Sequence, residues 1–345
     1  MPRNEITATY RIVTPLFLGD ARSEWLADTI CPTSVKGALR FWWRAVNWRR
    51  FRAVTSCDSS ALRLLHHEEA RLFGSAAGDG QGGQSRFLLR TAFDKPKAEE
   101  NKWPANDNTG SGYLGLGLWE TKGKETGKPQ PHRKAFPENH DFRVILRFRP
   151  GTQQADIENI RETLRIWGLL GGLGGRGQRR GFGSVAITHL DGRNERTMDE
   201  KGYGDRLCSL LGTDTFDTDI LTDNPPYTAF GPGFRVIIAA SCSDPRKTHN
   251  ALGQIFKEYR GQNGNLRGQE KIPFGLPLQM VDDKNRRASP LLFHIHPLKG
   301  NRFMGVVAFF PTTTFHHDRE YADITLFRVE EFLNGKEQIV PPPLP

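Results

Sequence analysis

Ile6, Ala8, Tyr10 and Ile12 alternate with Thr7, Thr9, Arg11 and Val13, a period of two that predicts a half-buried strand ending at Pro15. Thr33 or Ser34 is placed to cap a helix running to about Phe51, with Val35, Leu39, Trp42 and Val46 at i, i+4, i+7 and i+11 as its apolar stripe. A second helix is expected over 61–73, and strands over 86–93 and 142–149. Ile157, Ile160, Leu164 and Trp167 mark another amphipathic helix, stopped by Gly168 and the glycines after Leu170. A strand over 184–189 closes the series. Strand, helix, strand, strand, helix, strand is the ferredoxin-like pattern, shared with the RRM domain.

A less regular second cycle follows, with a strand at 234–240, a helix at 252–260, strands at 291–296 and 303–310 and a final helix at 322–333. Its closing strand has no clear pattern. The polar stretch 192–226 reads as the link between halves, and 345 residues exceed one ordinary core. The expected fold class is α+β, with two tandem ferredoxin-like (RRM-like) domains over 1–191 and 192–345, the second irregular. The tail from Pro341 to Pro345 should be extended. Residues 94–140 form an insertion rich in Lys, Gly, Pro and Asn, too long for a plain loop. It is read either as a hairpin reaching a partner or RNA, or as a floppy segment.

Composition narrows the class. With 22 Phe and 7 Trp the chain has ample core material, although its mean hydropathy is −0.55. No window approaches the roughly 20 apolar residues of a membrane span, and the start Met1-Pro2-Arg3-Asn4-Glu5 has no secretory pattern. A cytoplasmic protein without membrane contact is expected. The 4 cysteines stand far apart with no C-x-x-C pair, which excludes a zinc ribbon and argues against a disulfide framework.

Lys and Arg outnumber Asp and Glu by 48 to 39, a net charge of +9. Their distribution matters more than the sum. The segments 31–52 and 171–190 are basic and contain no carboxylate, the pattern of a phosphate-facing surface. Ser34, Lys36, Gly37, Leu39, Arg40, Phe41, Trp42, Trp43 and Arg44 carry the first. On a helix Lys36, Arg40 and Arg44 form a cationic stripe, and the helix N-terminus near Ser34 offers free N–H groups. A solvated helix face would look the same, but the lack of a carboxylate in the segment favours phosphate.

The second segment contains G-x-G-x-x-G from Gly172 to Gly177. It follows a helix and precedes a strand, the reverse of a dinucleotide-binding turn, and lacks the Lys-Ser/Thr ending of a P-loop. The remaining reading is a backbone free to approach a ligand, with Arg176, Arg179 and Arg180 for phosphates and Phe182 for stacking. A flexible connector is the plain alternative.

Thr14-Pro15-Leu16-Phe17-Leu18-Gly19, the run Ser34–Arg44 and the loop 174–184 together resemble the RAMP superfamily of CRISPR proteins. The ending Phe41-Trp42-Trp43-Arg44 is similar to the family of first-numbered subunits of type III-B (Cmr) effector complexes. Phe274-Gly275-Leu276-Pro277 and Arg286-Arg287-Ala288-Ser289-Pro290 resemble that family's second half. The resemblance implies two RRM-like domains and a seat remote from the guide RNA's 5′ tag, beside other Cmr RAMP subunits. It implies contact with guide (CRISPR) RNA and target RNA in antiviral defence, with cutting done elsewhere. Ser34, Lys36, Arg40, Arg44, Arg176, Arg179 and Arg180 are the RNA-binding candidates; no catalytic residue, metal or cofactor is expected.

Rival readings stay open. Backbone subunits of related complexes cut RNA with an aspartate in the loop before the Ser-x-Lys-Gly segment, and Asp20 and Asp28 lie there, so a metal-dependent endoribonuclease is one alternative. A structural subunit that binds only protein partners is another. His294 with His296, His317-Asp318 and His66-His67 lack further ligands at recognisable spacing and read as polar or half-buried. Phe87 and Phe93 do not make a ribonucleoprotein signature, so RNA is expected along loops and the helix N-terminus rather than across the sheet.

Overall fold

In the computed structural model, residues 4–19, 28–75, 83–98, 102–105, 108–120, 132–175, 179–195, 197–212, 223–261, 264–275, 278, 288–313 and 327–340 are described. The alternating segment forms β1 (Glu5–Ile12), and Ile6, Ala8, Tyr10 and Ile12 are fully buried. Helices α1 (Pro32–Ala53) and α2 (Asp58–Phe73) follow, then β2 (Phe87–Phe93), the short α3 (Gly110–Leu114), β3 (Asp141–Phe148), α4 (Gln154–Leu170), β4 (Val185–Leu190) and β5 (Arg193–Asn194). The first sheet is antiparallel in the order β2-β3-β1-β4-β5. Its first four strands have the ferredoxin-like order.

Helix α5 (Glu200–Leu211) leads into β6 (Arg235–Cys242), α6 (Pro245–Arg260), β7 (Leu291–Leu298), β8 (Arg302–Phe309), a helical stretch over 327–333 and β9 (Glu337–Val340). The second sheet runs β7-β8-β6-β9, so both halves place their strands as second, third, first, fourth. The closing strand that hydrophobic pattern does not reveal is β9, whose exposed Glu337 and Gln338 hide its period.

The layers explain why the second half reads irregularly. Val236, Ile238, Leu292, Met304 and Val306 share one apolar cluster with the buried side chains of α1 and α4, whereas Ile237, Phe293, Ile295, Val307 and Phe309 pack with Leu252, Phe256 and Phe332. The second sheet is thus buried on both faces, between the helices of the first half and its own. Such strands read as continuous apolar runs, and β7 is buried at all but Pro297.

Two expectations need correction. The stretch 192–226 is not simply a polar link: it contains α5, whose Tyr203 and Leu207 are fully buried. The Tyr203 hydroxyl donates to the Leu169 carbonyl at 2.7 Å. The described part of the insertion carries a short helix, α3, docked on α6, which sequence reading did not expect. At α3 the backbones of two glycines nearly touch, and a Cβ on Gly253 would lie 2.3 Å from the Gly110 oxygen. The Ser111 hydroxyl donates to His249 Nδ1 at 2.9 Å while His249 Nε2–H donates to the Arg180 carbonyl at 2.8 Å. The carbonyl partner requires the proton on Nε2, burial keeps the imidazole neutral so that Nδ1 accepts, and Trp103 and Phe182 enclose it at 5.1 and 4.3 Å.

Histidines at this seam set a pH dependence. Burial pushes His249 down to about 4 and His294 down to about 3, and burial with the neighbouring His294 holds His296 well below its ordinary value. The unfolded chain takes up these protons near pH 6.5 and the folded chain does not. Stability is therefore complete above about pH 6.5 and declines towards pH 4, by up to ~1.4 kcal/mol per pH unit for each histidine. Denaturant titrations at pH 7.5, 6 and 5 should show this slope, and His249→Gln should flatten it. Separately, Gly253→Val should undock α3 at a cost of about 1–3 kcal/mol by overpacking. Limited proteolysis should then open the 94–140 insertion while the remaining core persists.

Candidate nucleic-acid interface

The first candidate segment is a helix start built on proline. Pro32 occupies N1, where its fixed φ is pre-set for the helix, and Cys31 is the N-cap without a side-chain cap bond. Ser34 is therefore not the cap. It sits half-buried inside the first turn, its N–H donating to the Cys31 carbonyl at 3.1 Å, so fewer free N–H groups remain there than the sequence suggests.

The cationic stripe is likewise not free of carboxylate. Glu69, on α2, is 3% exposed, and its Oε1 accepts from Arg40 Nε at 2.6 Å and Arg44 Nη1 at 2.7 Å. The counter-charge arrives from 25 to 29 residues downstream, beyond any inspection of the segment itself. Arg44 is anchored further, its carbonyl accepting from the Tyr227 hydroxyl at 3.0 Å. Lys36 has no such partner among the described residues. Burial first, and the Arg40 charge second, lower the pKa of its ammonium.

Lys36 and Arg40 open onto a groove of about 810 Å³ between the start of α1 and the β2–β3 edge. Arg147, Arg149, Phe73 and Leu88 line it too, and its walls contain no carboxylate. Arg147, largely exposed, pairs with the half-buried Glu5 at 3.0 Å, and Arg149 donates to Gln84. β2 is an edge strand, and its Leu88 is 61% exposed. Sequence reading did not single out Arg147 and Arg149; the alternation of exposed Asp141, Arg143 and Arg147 along β3 was the available signal.

The glycine-rich loop is woven into the seam between the two halves. Gly171 and Gly172 end α4, and Leu173 N–H donates to the Gly183 carbonyl at 2.9 Å. Gly183 has φ 60°, and a Cβ there would lie 2.2 Å from the Leu173 oxygen, so only glycine fits. The Thr14 hydroxyl donates to the Gly181 carbonyl at 2.7 Å, and Ser184 Oγ accepts from Ile295 N–H at 3.1 Å. Arg180 makes a parallel bridge with Phe293. Phe182 is 1% exposed, packed edge-on to Phe17 at 5.6 Å, so it is not a base-stacking ring.

Arg179 and Arg180 are half-buried. Arg179 Nη1 donates to the Ser289 carbonyl at 3.3 Å and its guanidinium lies 5.2 Å from the Phe41 ring centroid. Burial lowers its pKa. Arg176 lies outside the described residues, as do Asp20, His317, Asp318, Leu276, Pro277, Arg286, Arg287 and the tail 341–345. Asp28 is exposed and pairs with Lys95 at 2.5 Å. His294 and His296 are 1% and 6% exposed, hence fully buried rather than half-buried, with Nε2 and Nδ1 3.3 Å apart. His66 and His67 are exposed. Among the described residues no three His, Cys, Asp or Glu side chains gather as a metal site, and no helix is long and apolar enough to cross a membrane. Phe87 faces the core at 4% exposure, so the first sheet's outer face carries no aromatic platform from it.

Known proteins match this arrangement. CRISPR system Cmr subunit Cmr1-1 of Pyrococcus furiosus is 27% identical over 314 residues, covering 82% of this chain and 80% of that protein. The crystal structure of Cmr1 from Pyrococcus furiosus in its apo form superposes with a TM-score of 0.65 at 20% identity, over 97% of this chain and 98% of that one. A chain of the type III-B Cmr-beta complex bound to cognate target RNA, seen by cryo-EM, gives a TM-score of 0.54 at 13% identity, over 95% and 99%. These two share the fold. The RAMP superfamily model matches residues 9–186, more than half of the sequence, from the second half of β1 through the α1 stripe to the glycine-rich loop, and the chain belongs to that superfamily.

Proposed function

We propose that this chain is a non-catalytic RNA-binding subunit of a type III-B CRISPR (Cmr) ribonucleoprotein effector complex. In this reading it contacts guide and target RNA at the end remote from the guide 5′ tag and sits beside other Cmr RAMP subunits. The two units run over 1–191 and 192–345.

The observation that carries the reading is the groove bearing Lys36, Arg40, Arg147 and Arg149 with no carboxylate in its walls. Lys36 has no carboxylate partner among the described residues, and the acids that pair with Arg40 and Arg147, Glu69 and Glu5, stand outside those walls, so a sugar–phosphate backbone entering the groove would meet positive charge and release counterions. The similarity to a Cmr subunit over most of both chains supports the same reading. Ser34, in the first turn of α1, Arg44, further along the same helix, and Arg176, Arg179 and Arg180, in the glycine-rich loop, complete the proposed contact set. Arg44 shares Glu69 with Arg40, and its side chain is as exposed as that of Arg40. Asp28, exposed and paired with Lys95, has the setting of a surface carboxylate rather than a metal ligand.

Titrating the chain, alone and within its complex, against labelled single-stranded RNA should show binding that weakens steeply with salt, with intact RNA in the presence of magnesium or manganese. Lys36→Glu and the pair Arg147→Glu/Arg149→Glu should each reduce affinity about tenfold or more, as charge reversal replaces an attraction by a repulsion. Cleavage that disappears in Asp20→Ala or Asp28→Ala would establish the ribonuclease instead. Loss of all RNA contact at low salt, in the complex as well, would leave the protein-only subunit. Glu69→Gln should lower stability by about 1–2 kcal/mol, since two partly hydrated guanidiniums lose their shared counter-charge. RNA affinity should hold or rise in that variant, because the groove gains positive charge.

A further inference from the structure

The seam holds a second set of cations that no part of the groove explains. The guanidinium of Arg180, from the glycine-rich loop, lies 5.7 Å from the ring centroid of Phe256, and that of Arg260, at the end of α6, lies 6.0 Å from the same centroid. Two like charges thus share one ring in a half-buried place. Among the described residues neither has a carboxylate partner. Arg260 Nη1 donates to the Tyr113 hydroxyl at 3.0 Å, while its Nε is buried with no hydrogen-bond partner there.

The surroundings add positive charge. Burial first, then Arg260 and Arg267, lower the pKa of Lys271. The nearby carboxylates are engaged elsewhere: Glu270 accepts from Arg328 and from the Arg267 N–H, and Glu331 accepts from Tyr259 at 2.6 Å. Burial and Arg260 push Arg180 down to about 10. An uncompensated, partly desolvated pair of this kind is costly without an anion. It is also rigid. The Arg180 carbonyl is bonded to His249, its backbone is bridged to Phe293, and Phe256 is fully buried.

We propose that Arg180 and Arg260, with the Tyr113 hydroxyl between the insertion and α6, form a phosphate-binding pocket that holds one backbone phosphate of a bound RNA strand. The assignment of the phosphate to RNA rests on the function proposed above; the pocket itself does not. Planar guanidinium forks match phosphate oxygens in a way ammonium groups do not. Tyr113 accepts from Arg260 and keeps its own proton to donate. The pocket would join both halves and the insertion, so that a strand on the glycine-rich loop is held where the two sheets meet.

The test uses the full chain and three variants, Arg260→Met, Arg180→Met and Tyr113→Phe, with inorganic phosphate and a short single-stranded RNA as separate probes. Without ligand, Arg260→Met should melt at or above the unmodified chain, because it removes a repulsion. Melting well below would reveal an internal counter-charge and overturn the proposal. Phosphate should raise the melting temperature of the unmodified chain more than an equal ionic strength of chloride does, and Arg260→Met and Arg180→Met should lose that increment. RNA affinity should fall about tenfold in Arg260→Met, with the salt slope reduced by about 1. An unchanged phosphate response and salt slope in Arg260→Met would overturn the pocket, even if Lys36→Glu still weakened RNA binding. A phosphate response lost in the variants, in a chain that binds no RNA, would keep the pocket and remove the RNA reading.

Discussion

The molecule depends on how the free edge of β7 is closed. An edge strand presents unpaired N–H and C=O groups, and β7 is buried on both faces, so its edge cannot be left to water. The end of the glycine-rich loop runs beside it. Phe293 N–H donates to the Arg179 carbonyl at 3.1 Å, and Ile295 N–H donates to Ser184 Oγ at 3.1 Å. Ser184 in turn donates to the Gly181 carbonyl, which Thr14 also reaches. One chain of bonds therefore ties β1's exit, the loop and the second sheet together. Glycines at 181 and 183, with φ 80° and 60°, let the backbone come close enough to make it.

This seam also decides where charge goes. Many arginines are neutralised internally: Arg40 and Arg44 by Glu69, Arg71 by Asp156, and Arg165 and Arg206 by Glu195. Among the described residues Lys36 in the groove and the Arg180–Arg260 pair at the seam are half-buried cations with no carboxylate partner. A net charge of +9 is in itself a weak argument about partners. Half-buried cations left without a carboxylate among the described residues are a stronger one.

The insertion belongs to the same construction. Trp103 packs on Phe182 and His249, and the guanidinium of Arg246 lies 5.5 Å from the Trp103 ring centroid. Arg246 is also fixed to Glu138 by bonds of 2.7 Å. The described insertion residues thus brace α6 against the glycine-rich loop and hold Tyr113 beside Arg260. Two sheets that share their helical layer leave the second sheet no open face, so any RNA contact of this chain falls to loops, helix ends and the first half.

The sequence by itself determined the repeated strand–helix order, most strand and helix positions to within a few residues, and the segments that carry the cations. Period-two and period-3.6 burial are local properties, visible in Ile6 to Ile12 and in Val35, Leu39 and Trp42. Tertiary structure decided what local pattern cannot encode. Glu69 lies one helix away from the arginines it neutralises, and α5 hides in a polar stretch because its inward residues, Tyr203, Leu207 and a glycine pressed on Ile339, with Cys208, Leu210 and Leu211 partly buried beside them, are interleaved with charged ones. β7 shows no alternation because both its faces are covered, and Phe182 and Arg180 are turned into a seam made by residues more than sixty positions downstream. Burial and charge pairing are properties of neighbours in space, and those neighbours exist only once the two sheets have packed.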